Sequence, residues 1–156
     1  MAQAAKPAAS DETIEIRMTR RFAASPREVF DAWTDPARIG RWIGSRDVTA
    51  EAKQMEARPG GAYAIVMTHL SGKVSTVRGV YREFRPPERL VFTWAWDGAD
   101  GKPGPETLVT ITFRAIGRET EMSFHHQRFT DAAARDMHQD GWTQSFDKLA
   151  ERLAKQ

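Results

Sequence analysis

The sequence contains no cysteine and no long apolar run, and both absences narrow the classes of protein that it can encode. Without cysteine, its 156 residues form no disulfide, no thiolate nucleophile and no cysteine-ligated zinc site. No stretch approaches the roughly 18 apolar residues of a membrane span, and the first residues lack the apolar core of a secretion signal. We therefore expect a cytoplasmic protein that does not span a membrane.

A strong charge of either sign is also missing. The formal net charge is +2, which is too small to indicate a polyanionic partner by itself. The one basic stretch, residues 73–89, has no glycine-rich loop and no interleaved aromatics, so it indicates a solvated strand face and no nucleic-acid partner. Walker and dinucleotide-binding glycine motifs are absent as well, and no cofactor is expected.

Large aromatic residues are abundant, with five tryptophans and eight phenylalanines in a chain that is 40% apolar. This composition is typical of a globular protein, and the length fits one domain with one core. Residues 1–12 include Ala, Ser, Pro and Lys without periodicity, which predicts a flexible tail. We expect residues 13–156 to form a single domain.

Alternation of apolar and polar residues predicts a first strand from Ile14 to Phe22. The same period returns after Val48, where turn residues separate consecutive antiparallel hairpins. The strands expected there are 48–57, 62–70, 74–84, 89–97, 107–115 and 120–129.

Three helices are expected around these strands. Ser25, Pro26 and Glu28 form a capping box that starts the first helix, and a second short helix covers residues 37–43. Residues 130–156 form one long helix, since Trp142, Phe146, Leu149 and Leu153 recur at helical spacing. The order predicts an α+β fold with two short helices after the first strand, in which a strongly bent antiparallel sheet wraps around the C-terminal helix.

Several strings, taken in order, resemble the START-like (SRPBCC) superfamily of helix-grip domains, which includes the Bet v 1-like fold. The likeness is greatest to its branch of Hsp90-ATPase-activator homologues and covers residues 13–155. The strings are Ser-Pro-Arg-Glu-Val-Phe-Asp-Ala-Trp-Thr-Asp-Pro at 25–36, Arg-Trp at 41–42, Pro-Pro-Glu-Arg-Leu-Val-Phe-Thr-Trp at 86–94, Thr120 to His126, and His138 to Leu153.

This resemblance implies a hydrophobic cavity between the sheet and the last helix, which in related domains holds lipids, sterols, polyketides or plant hormones. Alternation on the strands, with the inner edge of the helix, selects the residues expected to line it: Tyr63, Met67, His69, Phe92, Trp94, Trp96, Met122, Phe124, His126, His138 and Trp142. Binding of an apolar small molecule or lipid is the leading hypothesis. In the competing interpretation these aromatics simply fill the core.

Other functions stay open at this point. Related cyclases and hydrolases use cavity residues as acids and bases, for which Tyr63, His126 and His138 are the candidates here. The branch name points to a chaperone partner, and a homodimer is a further alternative. No metal site is expected, because His125 and His126 are adjacent on a strand and point to opposite faces.

Overall fold

A computed structural model describes residues 14–155 as a curved antiparallel sheet packed against a long C-terminal helix. The strands are β1 (Ile16–Phe22), β2 (Val48–Met55), β3 (Ala62–His69), β4 (Val74–Arg85), β5 (Arg89–Trp96), β6 (Thr107–Ile116) and β7 (Glu119–Gln127). The helices are α1 (Pro26–Thr34), α2 (Pro36–Ile39) and α3 (Ala132–Ala154). The predicted flexible tail, residues 1–12, lies outside the described residues.

The seven strands form one sheet in the order β1-β7-β6-β5-β4-β3-β2, with antiparallel neighbours throughout. Register shifts between Ala52 and Gln54 and between Tyr81 and Glu83 interrupt the ladders. Bulges of this kind bend a strand and increase its twist, which helps the sheet to curl. The helix-grip fold is confirmed, and every predicted strand begins and ends within two residues of the observed one.

The two short helices close one end of the sheet. The capping box of α1 is confirmed, because the Ser25 hydroxyl accepts from the Glu28 amide and the Glu28 carboxylate accepts from the Ser25 amide. The second helix was predicted to continue to residue 43, but α2 ends at Ile39. A β-carbon at Gly40 would lie 2.8 Å from the Ala50 carbonyl oxygen, so the chain turns there in close contact with β2.

Helix α3 lies against the inner face of the sheet. Asp131 caps its start by accepting a hydrogen bond from the Ala134 amide at 2.8 Å. The predicted apolar stripe, Trp142, Phe146, Leu149 and Leu153, is buried. None of the helices in residues 14–155 has the length and apolar character needed to cross a membrane.

Candidate functional site

His126 on β7 and His138 on α3 each accept a hydrogen bond from a tryptophan N–H. These contacts identify which ring nitrogen of each histidine carries the proton. An indole N–H only donates, so Nδ1 of His126, 3.0 Å from Nε1 of Trp142, must be the acceptor. The His126 proton is therefore on Nε2, which donates to the Thr107 hydroxyl at 2.7 Å. That hydroxyl donates in turn to the Trp94 carbonyl oxygen at 2.8 Å. The ring of His126 is neutral and both of its nitrogens are engaged.

His138 on α3 repeats this arrangement with the opposite tautomer. Its Nε2 accepts from Nε1 of Trp96 at 2.9 Å, and its Nδ1–H donates to the Ala134 carbonyl oxygen at 2.8 Å. The ring centroids of His126 and His138 are 5.4 Å apart. Two neutral imidazoles therefore tie β5, β7 and α3 together through tryptophan N–H groups.

Burial explains why both histidines stay neutral. It lowers the pKa of His126 well below its ordinary value of 6.5, and the nearby His138 and His125 lower it further. Burial also lowers the pKa of His138, although the hydrogen bond to Ala134 acts in the opposite direction. A proton on either ring would remove the acceptor that a tryptophan N–H uses.

Aromatic rings from the helices fill much of the space enclosed by the sheet. Trp33 of α1 stands at the centre, with ring centroids 4.7 Å from Trp42 and 5.7 Å from Trp142. Phe124 of β7 packs 4.8 Å from Trp142 and 5.1 Å from Phe146. The sequence alone left open whether such rings line a pocket or fill the core, and here most of them fill it.

A small internal cavity remains beneath the helices. Its volume is about 10 Å³, which is at most the space of one water molecule. Binding pockets for drug-sized ligands measure about 300 to 1,000 Å³, so the interior as described is closed. The lining is apolar and largely aromatic: Trp33, Ile39, Ile43, Met55, Tyr63, Ile65, Tyr81, Leu90, Phe92 and Trp94.

The five tryptophan N–H groups fall into two sets. Those of Trp96 and Trp142 bind the two histidines, and that of Trp42 donates to the Ala32 carbonyl oxygen at 3.1 Å. Those of Trp33 and Trp94 are buried and have no hydrogen-bond partner. Both of these residues line the internal cavity.

A cleft of about 170 Å³ opens on the other side of Trp94. It lies between the loop before β6 and the start of α3, where the Met137 side chain is 66% exposed. Its lining is Trp94, Trp96, Pro105, Thr107, Phe129, Thr130, Ala134, Met137 and His138. Because Trp94 lines both spaces, its side chain is a wall shared by the cleft and the internal cavity.

The residues predicted to line one pocket are divided among the internal cavity, the cleft and the packed core. Tyr63, Phe92 and Trp94 line the internal cavity, whereas Trp94, Trp96 and His138 line the cleft. Phe124, His126 and Trp142 are packed between α3 and the sheet next to these spaces. Met67 and Met122 are buried in the core and line neither space.

His69 lies apart from all of them. It is exposed at the end of β3, where its ring contacts Ser71. His69 and Met67 are two residues apart and were therefore expected on the same face of the strand. However, β3 ends at His69, and this position lies beyond the core.

The three predicted acid–base candidates are all occupied by hydrogen bonds. Burial raises the pKa of Tyr63 well above its ordinary value, and its hydroxyl donates to the Thr93 carbonyl oxygen. His126 and His138 use both ring nitrogens, so proton transfer at any of the three would first break an existing bond. Within residues 14–155, no group of three His, Asp or Glu side chains is placed to hold a metal ion.

Three further residues that contribute to the site were not among the predicted ones. Trp33 was assigned only to the apolar edge of α1, and nothing in its spacing indicated that its N–H would lack a partner. Thr107 and Phe129 lie at the ends of predicted strands, where alternation gives little information about packing. Nothing in the sequence around Thr107 indicated that its hydroxyl would hydrogen-bond to His126.

Comparisons with known proteins agree with this architecture. A protein from Chromobacterium violaceum of known crystal structure is 28% identical, with a TM-score of 0.83 over 89% of this chain and 96% of its own. The AHSA1 protein from Silicibacter pomeroyi is also 28% identical, with a TM-score of 0.82 over 90% of this chain and 97% of its own. A protein from Arthrobacter aurescens, 20% identical, shares the fold with a TM-score of 0.83 over 93% of this chain and 88% of its own.

A search of curated proteins by sequence gave no match. The model of one protein family matches residues 23–154, which is most of the chain and includes every helix and six of the seven strands. On that match, the chain belongs to the family described as activator of Hsp90 ATPase homolog 1-like proteins.

Proposed function

We propose that this protein binds an apolar small molecule or lipid beneath α3, and that the ligand carries a hydrogen-bond acceptor. The observation that carries the proposal is that Trp33 and Trp94, which both line one apolar space, have buried N–H groups without a hydrogen-bond partner. A buried donor without a partner costs about 1–3 kcal/mol. A ligand carbonyl or carboxyl oxygen would recover that free energy, whereas a purely apolar ligand would not.

The cleft supplies a route to this space. Trp94 separates the cleft from the internal cavity, and the flexible side chain of Met137 lies exposed at the outer edge. A ligand that displaces the Trp94 ring would join the two spaces into one pocket. The proposal therefore requires movement of Trp94, since the internal cavity alone is far too small for a ligand.

Two probes of nearly equal shape test the acceptor requirement. Fluorene and 9-fluorenone differ by one carbonyl group, and thermal unfolding with each should show stabilisation by mass action. A net hydrogen bond of about 1 kcal/mol predicts roughly threefold to tenfold tighter binding of the ketone. Trp94→Phe or Trp33→Phe should reduce that preference, because each removes one of the unused donors.

Trp42→Phe is the matched control, since the Trp42 N–H is already bonded to Ala32. This variant should lose stability yet keep the preference for the ketone. If neither probe raises the melting temperature, or if the preference survives in both Trp33→Phe and Trp94→Phe, the proposal is wrong.

A second candidate function is activation of a chaperone ATPase, which is favoured by the family description. That activity needs a protein surface and makes no demand on the interior of the fold. Addition of the purified chain to a cognate Hsp90 provides the test, with ATP turnover as the measurement. We expect no stimulation, and a several-fold increase would place chaperone regulation ahead of ligand binding.

A further inference from the structure

A basic groove lies on the opposite end of α3 from the histidines. It consists of two adjoining depressions between the α2 region and the last turns of α3, with volumes of about 270 and 210 Å³. Arg41, Arg152 and Lys155 line both depressions, so the two form one continuous groove. The groove is separate from the cleft and from the internal cavity, with which it shares no lining residue.

The charge of the groove is much higher than that of the whole chain. Six basic residues and one acidic residue line it, namely Arg38, Arg41, Arg46, Lys148, Arg152, Lys155 and Glu151. The complete chain carries a formal net charge of only +2, so the rest of the molecule is net negative. Positive charge is therefore concentrated in this groove.

Intramolecular ion pairs leave much of this charge free. Glu151 pairs with Arg46 at 2.6 Å, and Asp35 pairs with Arg38 at 3.4 Å. No carboxylate in residues 14–155 forms an ion pair with Arg41, Arg152 or Lys155, the three residues shared by both depressions. Arg46 first, and then Lys155 and Lys148, lower the pKa of the Glu151 carboxyl, so a single carboxylate faces the six cations of the groove.

The Lys148 side chain is half-buried beside these cations. It donates to the Ser45 carbonyl oxygen at 3.2 Å, and burial, followed by the neighbouring Arg46, lowers its pKa. An anion in the groove would relieve the repulsion between Lys148 and Arg46. Glu151 acts on the Lys148 pKa in the opposite direction, yet positive charge remains in excess along the groove.

We propose that this groove binds an acidic peptide segment of a partner protein. Lys148 and Lys155 are seven residues apart on α3, which corresponds to about 10 Å along the helix. An extended peptide advances about 3.3 Å per residue, so alternate carboxylates of a segment of four or five residues can reach along the groove. Arg41 and Arg152 supply guanidinium groups, which match carboxylates in two-point hydrogen bonds.

The shape of the groove favours a peptide over a membrane surface. The apolar residues at its base, Trp42, Leu149 and Leu153, are at least 95% buried, so no apolar side chain projects from it toward a bilayer. A flat lipid surface cannot reach cations that line a concave groove as fully as a peptide can. A single phosphate ion would contact only part of the 10 Å row, at about 1.5 Å per helical residue.

The test is fluorescence anisotropy of the full chain with a labelled peptide of six glutamates, compared with a peptide of six glutamines. Arg41→Glu combined with Arg152→Glu should weaken binding of the acidic peptide at least tenfold. The matched control is Arg82→Glu combined with Arg118→Glu, which makes the same change in net charge at exposed arginines on β4 and in the β6–β7 turn. The control should change the affinity less than twofold, and the glutamine peptide should not bind.

Three results would overturn the proposal: equal weakening in both double variants, equal binding of the two peptides, or tighter binding to phosphatidylserine vesicles than to the acidic peptide. The first would indicate non-specific attraction to net charge, and the last would indicate a membrane partner. Melting curves establish that each variant is folded. If the double variant unfolds, Arg41→Gln replaces it, and an affinity equal to that of the unaltered chain would count against the groove.

Discussion

Trp142→Ala is expected to lower the free energy of unfolding by about 3–5 kcal/mol, because it removes a large buried ring from the centre of the contact between α3 and the sheet. The Trp142 ring lies 4.8 Å from Phe124, 4.9 Å from Trp94 and 5.6 Å from Phe146, measured between centroids. Its N–H is also the donor that binds His126. The substitution therefore creates a cavity and leaves a buried acceptor without its partner.

Urea denaturation at neutral pH measures this loss, and Trp142→Phe is the informative companion. The phenylalanine keeps most of the ring contacts but removes the donor, so it should lose less stability than the alanine variant and still cost about 1–3 kcal/mol. A loss below about 1 kcal/mol for Trp142→Ala would show that the ring is not a core anchor. Equal losses for the two variants would mean that the hydrogen bond outweighs the packing.

Acidification is expected to destabilise the fold well before the carboxylates titrate. The pKa of His126 is lowered in the folded protein, so between that value and about 6.5 the unfolded chain binds a proton that the folded chain does not. The free energy of unfolding is then highest above about pH 6.5, and it falls as the pH drops toward the pKa of His126 in the folded protein. For each proton that only the unfolded chain binds, the free energy of unfolding falls by up to about 1.4 kcal/mol per pH unit.

Urea midpoints between about pH 7.5 and 5 measure this slope. His126→Gln cannot take up the proton, so it should be less stable at neutral pH but show a shallower slope below about pH 6.5. His138→Gln should reduce the slope as well, since burial lowers the pKa of His138 in the same direction. A slope that is unchanged in both variants would show that these histidines are not the groups that take up the protons.

The sequence predicted the scaffold well because the scaffold depends on local patterns. Alternation along β6 and β7 follows directly from one buried and one exposed sheet face. The capping box at Ser25 and the helical spacing of Trp142 and Phe146 are likewise set by residues close together in the chain. These signals are independent of what fills the interior.

The interior itself could not be predicted from the same patterns. Strand parity places Phe92 and Trp94 on the inner face, but it does not tell whether the rings opposite leave a void or fill it. The answer depends on Trp33, which enters from a helix about 60 residues away in the chain. The histidine contacts also needed the structure, because Trp96 and His138 are 42 residues apart when they meet.

A ligand acceptor that enters the space beneath α3 can be detected in a proton–nitrogen correlation NMR spectrum of the five tryptophan N–H groups during titration with 9-fluorenone. We expect the signal of Trp33 or Trp94, whose N–H groups have no partner, to move as the ketone binds. The signal of Trp42, bonded to the Ala32 carbonyl oxygen, should move much less. If all five signals stay in place at saturating ketone, or if that of Trp42 moves as far as those of Trp33 and Trp94, no ligand acceptor reaches the space beneath α3.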